Sequence, residues 1–216
     1  DPDLYDVIDE IEKIVPANPD IQTYNISMGP VGQILDTEVH RFTYALDRLS
    51  KNHNVLFNVA VGNSGRDLGY NRIQSPSDMV NGLGIGAYTF TRGANERADY
   101  SCIGPGREGN KLKPDLLAFG GCDRTPIQIL SPITNTRTFT SGTSFSTPLV
   151  TRTAGRLIGN SSGIINALTA KALLIHDASN KSNQLHSKEL GHGFLTEDLD
   201  LLMECPSQSY TLIYEG

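Results

Sequence analysis

Residues 54–61 read NVLFNVAV, an apolar and β-branched run with almost no alternation, closed by Gly62. A strand with one solvated face alternates apolar and polar residues. A run that does not alternate is a strand covered on both faces, and such strands sit in parallel sheets sandwiched between helices. The neighbouring sequence fits that setting. Residues 1–15 place Leu4, Ile8, Ile11 and Val15 on one face of a helix, with acids in its first turn where the helix dipole favours them. Residues 21–28 (IQTYNISM) read as a strand ending at Gly29-Pro30. Asp36 reads as the N-cap of an amphipathic helix that runs to residue 53 through Val39, Phe42, Leu46 and Leu49. Residues 82–90 and 115–119 read as two more strands. A helix after Pro148 carries Leu149, Val150, Ala154, Leu157 and Ile158. Further helices span 166–178 and 196–205, the second stopped by Pro206, and residues 210–214 read as a terminal strand. Strands alternating with helices predict an α/β fold of three layers, a mostly parallel sheet flanked by helices. The Gly/Pro-rich stretch 104–114 is a loop within one domain.

Charge and cysteine usage narrow the partners. With 18 Lys and Arg against 24 Asp and Glu, the net charge of −6 disfavours a nucleic-acid backbone. No apolar run of 18 residues is present to span a membrane. Cys102, Cys122 and Cys205 cannot all pair and have no metal-ligand spacing, which points to a reducing, cytoplasmic setting. No carboxylate cluster has ligand character; Asp198 and Asp200 read as exposed helix charges, and neither a metal nor another cofactor is expected.

Two segments carry chemistry. In residues 141–150 (SGTSFSTPLV) a small turn delivers Ser144 onto the start of an apolar helix, with Pro148 expected in the first turn, where a missing N–H is tolerated. A hydroxyl there gains from the positive end of the helix dipole as its oxygen becomes anionic. The same residues read equally as a Ser/Thr-rich helix cap. In residues 59–65 (VAVGNSG) a buried strand ends in Asn63, whose amide could donate to a developing oxyanion, or could simply serve a turn.

Taken in order, these segments resemble the subtilisin-like serine peptidases (subtilases). SGTSFSTP resembles the nucleophile motif G-T-S-x-[AS]-x-P, which implies Ser144 as nucleophile. NVAVGNSG resembles the segment bearing the oxyanion-hole asparagine, which implies Asn63. YNISMGP resembles the substrate-pairing strand N-x-S-x-G-G, which implies that Ser27, Met28 and Gly29 bind an extended peptide or unfolded protein, with Ala60, Val61 and Gly62 along the S1 pocket. SPSDMVNGLGIGA, ADYSCIGP and KPDLLAFG resemble later family segments. Three positions depart: Pro30 stands where a second glycine is usual, removing one backbone donor from the S1 wall, Phe119 replaces a proline, and Leu149 replaces a histidine.

The family's triad runs Asp, His, Ser along the chain. Its D-[ST]-G and H-G-T motifs are absent here. Asp36-Thr37-Glu38 follows the substrate strand, and His40, His53, His176, His186 and His192 read as helix, loop or turn residues. The expectation is therefore the C-terminal portion of a subtilase peptidase domain over residues 1–216, with the aspartate and histidine upstream of residue 1 and the isolated chain inactive. The alternative is a pseudoprotease that binds extended peptides without cutting them. With the upstream strands missing, strand 21–28 would be an exposed sheet edge that either self-associates, which proline at Tyr24 or Ile26 should weaken, or is covered by the chain's own N-terminal helix or residues 207–216.

Overall fold

Four parallel strands carry the fold in this computed structural model, which describes residues 3–91, 93–108, 112–181 and 187–203. They are β1 (Thr23–Ile26), β2 (Leu56–Ala60), β3 (Leu83–Thr91) and β5 (Leu116–Phe119); β4 (Ala94–Arg97) turns back antiparallel on β3. The order runs β1-β2-β3-β4, with β5 also paired to β3. Helices α1 (Leu4–Ala17) and α2 (Arg41–His53) cover one face, and α3 (Thr143–Asn160) with α4 (Ala167–Lys181) the other.

The run at 54–61 behaves as its composition demands. Phe57 and Val59 pack with Ile8, Phe42 and Leu46 on the α1–α2 side. Leu56 packs with Leu83, Ile85, Val150 and Leu174 on the α3–α4 side. Each large apolar side chain fully buried this way contributes about 1.5–3 kcal/mol. Asn58 interrupts the apolar run and is fully buried, but its Nδ2 donates to Thr23 Oγ1 at 3.0 Å and to Tyr24 O at 3.3 Å. It spends its polarity on tying β2 to β1.

Several expectations are corrected. The second helix starts at Arg41, not Asp36. His40 caps it, with Nδ1 accepting from Phe42 N at 3.1 Å. Asp36 instead accepts two hydrogen bonds from Arg72, at 2.7 and 3.1 Å. The nucleophile helix begins five residues before Pro148, which therefore lies in its second turn. The helix expected over 196–205 is the short α5 (Leu199–Met203). A hairpin of β6 (Ile127–Leu130, IQIL) and β7 (Arg137–Thr140, RTFT) was not expected: each strand is four residues long and none of its residues is fully buried, and only β6 is mostly apolar. β4 (ANER) was not expected either, being short, polar and mostly exposed. The terminal strand expected at 210–214, together with His186 and Cys205, lies outside the described residues.

Among the described residues β1 pairs with β2 alone, and no described strand lies on its other edge. The register corrects the choice of test positions. Leu56 N donates to Gln22 O, and Thr23 stands opposite Leu56. In a parallel ladder the backbone groups of alternate residues face opposite edges. Tyr24 and Ile26 therefore face β2, and the open edge presents the backbone groups of Thr23 and Asn25.

Candidate active site

The carboxyl ends of β1 and β2 meet the amino end of α3 around a cavity of about 350 Å³. Gly142 caps α3 at φ 155° and ψ 157°, a combination side-chain-bearing residues rarely adopt. Its N–H donates to Gly120 O at 2.9 Å, which fastens the turn to the end of β5.

A helix leaves its first N–H groups without intrahelical partners. Here their fates differ. Thr143 N donates to Asn63 Oδ1 at 2.9 Å, and Phe145 N to Gly142 O at 3.0 Å. Ser144 N has no partner among the described residues. Thr143 Oγ1 also donates to Asn63 Oδ1, at 2.9 Å. A backbone N–H can bond only the oxygen of an amide, so this contact fixes which way the Asn63 side chain is turned. Its Nδ2 is left as an uncommitted donor. Asn63, Thr143 and Ser144 all line the cavity. The half-buried Ser144 thus sits at the second residue of an 18-residue helix, with two donors beside it, its own N–H and the Asn63 amide. Two converging donors at a helix amino end can stabilise an oxyanion formed next to the Ser144 hydroxyl.

Pro148 has a consequence for the same residue. Having no N–H, it cannot donate to the carbonyl four residues earlier, which belongs to Ser144. The Ser27 hydroxyl donates to that carbonyl instead, at 3.3 Å, and is itself held by Asn25 Nδ2 at 3.0 Å. The substrate-strand residues and the nucleophile turn are therefore directly tied.

The remaining expected residues fall as follows. Ser27, Met28 and Gly29 form one wall of the cavity, and Ala60 and Gly62 the other. Gly29 is required: a Cβ there would lie 2.2 Å from Ser75 O. Val61 departs from the expectation. Its side chain is fully buried with Ile34, Ile73 and Cys102, because the strand's alternation turns it away from the cavity. It contributes backbone only, its carbonyl accepting from Gln74 N at 3.0 Å. Three residues went unremarked in the sequence. Thr143 positions Asn63 and was legible within the motif around Ser144; Ser75 opens the SPSDMVNGLGIGA segment without having been singled out, and Gln74 lies one residue before it, outside every motif.

No described side chain hydrogen-bonds the Ser144 hydroxyl, and no histidine lines the cavity. His40 caps α2, His53 ends it, His176 lies in α4, and His192 donates its backbone N–H to Asp115 O at 2.9 Å. The two described cysteines differ. Burial pushes the Cys102 thiol up to about 11. Burial raises Cys122 too, but hydrogen bonds from Thr125 and Thr89 outweigh it and bring the thiol down to about 7.

A family model places this geometry. The model of the subtilase family (peptidase S8) matches residues 2–193, and the chain belongs to that family. The uncharacterized protein y4bN of Sinorhizobium fredii (strain NBRC 101917 / NGR234) is 28% identical over 205 residues, covering 71% of this chain and 47% of its own. Among solved structures, the S41 psychrophilic protease superposes with a TM-score of 0.66 at 22% identity, covering 87% of this chain and 63% of that one. The epidermin leader peptide processing serine protease of Staphylococcus aureus gives 0.67 at 20% identity, covering 93% and 55%. The architecture is thus a subtilisin-like α/β fold, and the chain spans about half to two-thirds of the length of these relatives.

Proposed function

We propose that this chain carries the nucleophile and oxyanion-binding part of a serine endopeptidase. Ser144 would attack the scissile carbonyl of an extended peptide and form an acyl-enzyme. Its own N–H and the Asn63 amide would hold the oxyanion, while the backbone of Met28 and Gly29 pairs with the substrate and Ala60 and Gly62 flank its side chain. The observation that carries this reading is the double hydrogen bond from Thr143 to Asn63 Oδ1. It aims a free amide donor at the space beside Ser144 without any ligand to arrange it. Membership of the subtilase family supports it, as does the leader-peptide-processing relative.

The hydroxyl of Ser144 needs a general base to become a competent nucleophile. None of the described residues supplies one, so we place the base and the aspartate that orients it outside them. The isolated 216-residue chain should then be inactive or nearly so. The test is to follow hydrolysis of a quenched peptide by the pure chain, and by a longer protein whose reading frame adds D-[ST]-G and H-G-T motifs upstream of Asp1. Activity gained only in the longer protein, and lost with Ser144→Ala, supports the peptidase. The bare Ser144 hydroxyl also favours a second reading, a non-enzymatic module that binds extended peptides. A reading frame without those upstream motifs selects it. In either case the open edge of β1 makes self-association the expected behaviour of the isolated chain.

A further inference from the structure

The cavity beside Ser144 has a floor as well as two walls, and the floor is a chemically specific one. Gln74 and Ser75 lie across the gap between the ends of β1 and β2. Ser75 O abuts Gly29 on one side, since a Cβ on that glycine would lie 2.2 Å away. The Gln74 side chain lies against Gly62 on the other. A Cβ on Gly62, which has φ +105°, would lie 2.5 Å from Gln74 Cδ and 2.6 Å from its Oε1. Gln74 N donates to Val61 O at 3.0 Å, so the floor is hydrogen-bonded to the wall. Gln74 Nε2 reaches Ser64 Oγ at 3.3 Å. The other end of the Gln74 amide has no partner among the described residues.

None of the residues lining the cavity is Asp, Glu, Lys, Arg or His. A charged side chain entering it would lose water and find no counter-charge. A large apolar side chain would cover the free end of the Gln74 amide and the Ser64 hydroxyl, and would displace their water without replacing its hydrogen bonds. A primary amide both donates and accepts, and so matches the Gln74 amide whichever way that group is turned. We infer that Gln74 is the specificity-determining residue of this site, selecting an uncharged, hydrogen-bonding side chain such as Gln or Asn immediately before the scissile bond. This rests on the peptide-binding reading above.

The test uses the full 216-residue chain and four acetylated tetrapeptides, Ac-Ala-Ala-Ala-X with a free carboxylate, where X is Gln, Phe, Lys or Asp. Each mimics the acyl-side product, and its carboxylate would meet the Asn63 amide and Ser144 N–H. Binding is read by NMR from the backbone amide resonance of Ser144, which lines the same cavity and is present in every variant. The Gln peptide should bind at least about tenfold more tightly than the Lys or Asp peptide, and about threefold more tightly than the Phe peptide. Gln74→Glu keeps the side chain's shape and should move the Lys peptide from among the weakest to the tightest. Gln74→Ala should erase the margin of Gln over Phe. If the peptides bind in the same order to both variants as to the unaltered chain, while Asn63→Ala weakens all four, the peptide site stands and the role of Gln74 is overturned. If no peptide moves the Ser144 amide resonance of the unaltered chain, the peptide-binding reading fails and this inference falls with it.

Discussion

The two sides of Ser144 are built to different degrees. On the side of Asn63, every group is fixed by another. Thr143 turns the Asn63 amide through two hydrogen bonds of 2.9 Å. Gly142 is fastened to Gly120, and Ser27 takes the carbonyl that Pro148 leaves without a helical donor. On the side where a proton acceptor would stand, no described side chain reaches the hydroxyl, and the nearest strand, β1, ends in an open edge. The first side stabilises negative charge on an oxygen; the second would create the nucleophile. Charge stabilisation and proton transfer are separable in hydrolytic catalysis, and removing the triad still leaves about 10³–10⁴-fold over water from binding and the oxyanion hole. In the proposed reading, the described residues hold the parts for the first capability and not those for the second.

The largest expected effect breaks that comparison outright. Supplying the base in a longer protein should raise peptide hydrolysis by several orders of magnitude over the isolated chain, with Ser144→Ala returning it to background. Robust Ser144-dependent cleavage by the isolated chain would mean that a base stands within it after all, and residues outside the described set, His186 among them, would be the place to look.

The next effect sharpens the better-built side. In the active protein, Asn63→Ala should lower kcat by about 10²–10³ with little change in KM, a magnitude taken from a subtilisin's oxyanion asparagine rather than calculated from this geometry. The amide bonds the anionic oxygen of the transition state more strongly than the ground-state carbonyl, so the loss belongs to kcat. A loss confined to KM would assign Asn63 to substrate contact instead.

How much of this was legible in the sequence follows the same division. Asn63 and Ser144 sit in glycine-punctuated turns at the ends of strongly apolar elements, so their place at the cavity showed, while their chemistry is the proposal made above. The doubly covered β2 showed for the same reason, since burial on both faces leaves no alternation. What did not show was decided by tertiary contact. Val61 reads like its neighbours but is turned into the core. Asp36 looks like a helix cap and is claimed by Arg72, leaving the cap to His40. Gln74 floors the cavity from one residue outside the SPSDMVNGLGIGA segment, where no motif marks it. The strands β4, β6 and β7 are four residues each with no fully buried side chain, too short for their alternation to stand out.

The open edge of β1 gives a smaller effect. If the isolated chain self-associates by pairing this edge, Asn25→Pro should weaken association by about tenfold, because the Asn25 N–H faces outward and proline is tolerated on an edge strand. Tyr24→Pro removes an inward donor to β2 and should destabilise the chain instead. Sedimentation at several concentrations, with thermal unfolding of both variants, separates the two. Equal association of Asn25→Pro and the unaltered chain would clear the edge.

The smallest effect lies in the link between the two sides. Ser27 Oγ donates to Ser144 O because Pro148 cannot, and a hydrogen bond of this kind contributes about 0.5–1.5 kcal/mol. In the active protein Ser27→Ala should therefore cost roughly two- to tenfold in kcat, with the carbonyl of Ser144 free to shift and the hydroxyl with it. KM should change less, since peptide pairing uses the backbone of Met28 and Gly29. Restoring an N–H donor from the helix itself offers a rescue. In Ser27→Ala/Pro148→Ala the new amide at position 148 can bond Ser144 O as an ordinary helix does, and kcat should recover toward the unaltered value. Failure of that rescue, with the fold intact by amide exchange, would show that Ser27 acts through the substrate strand and not through the nucleophile turn.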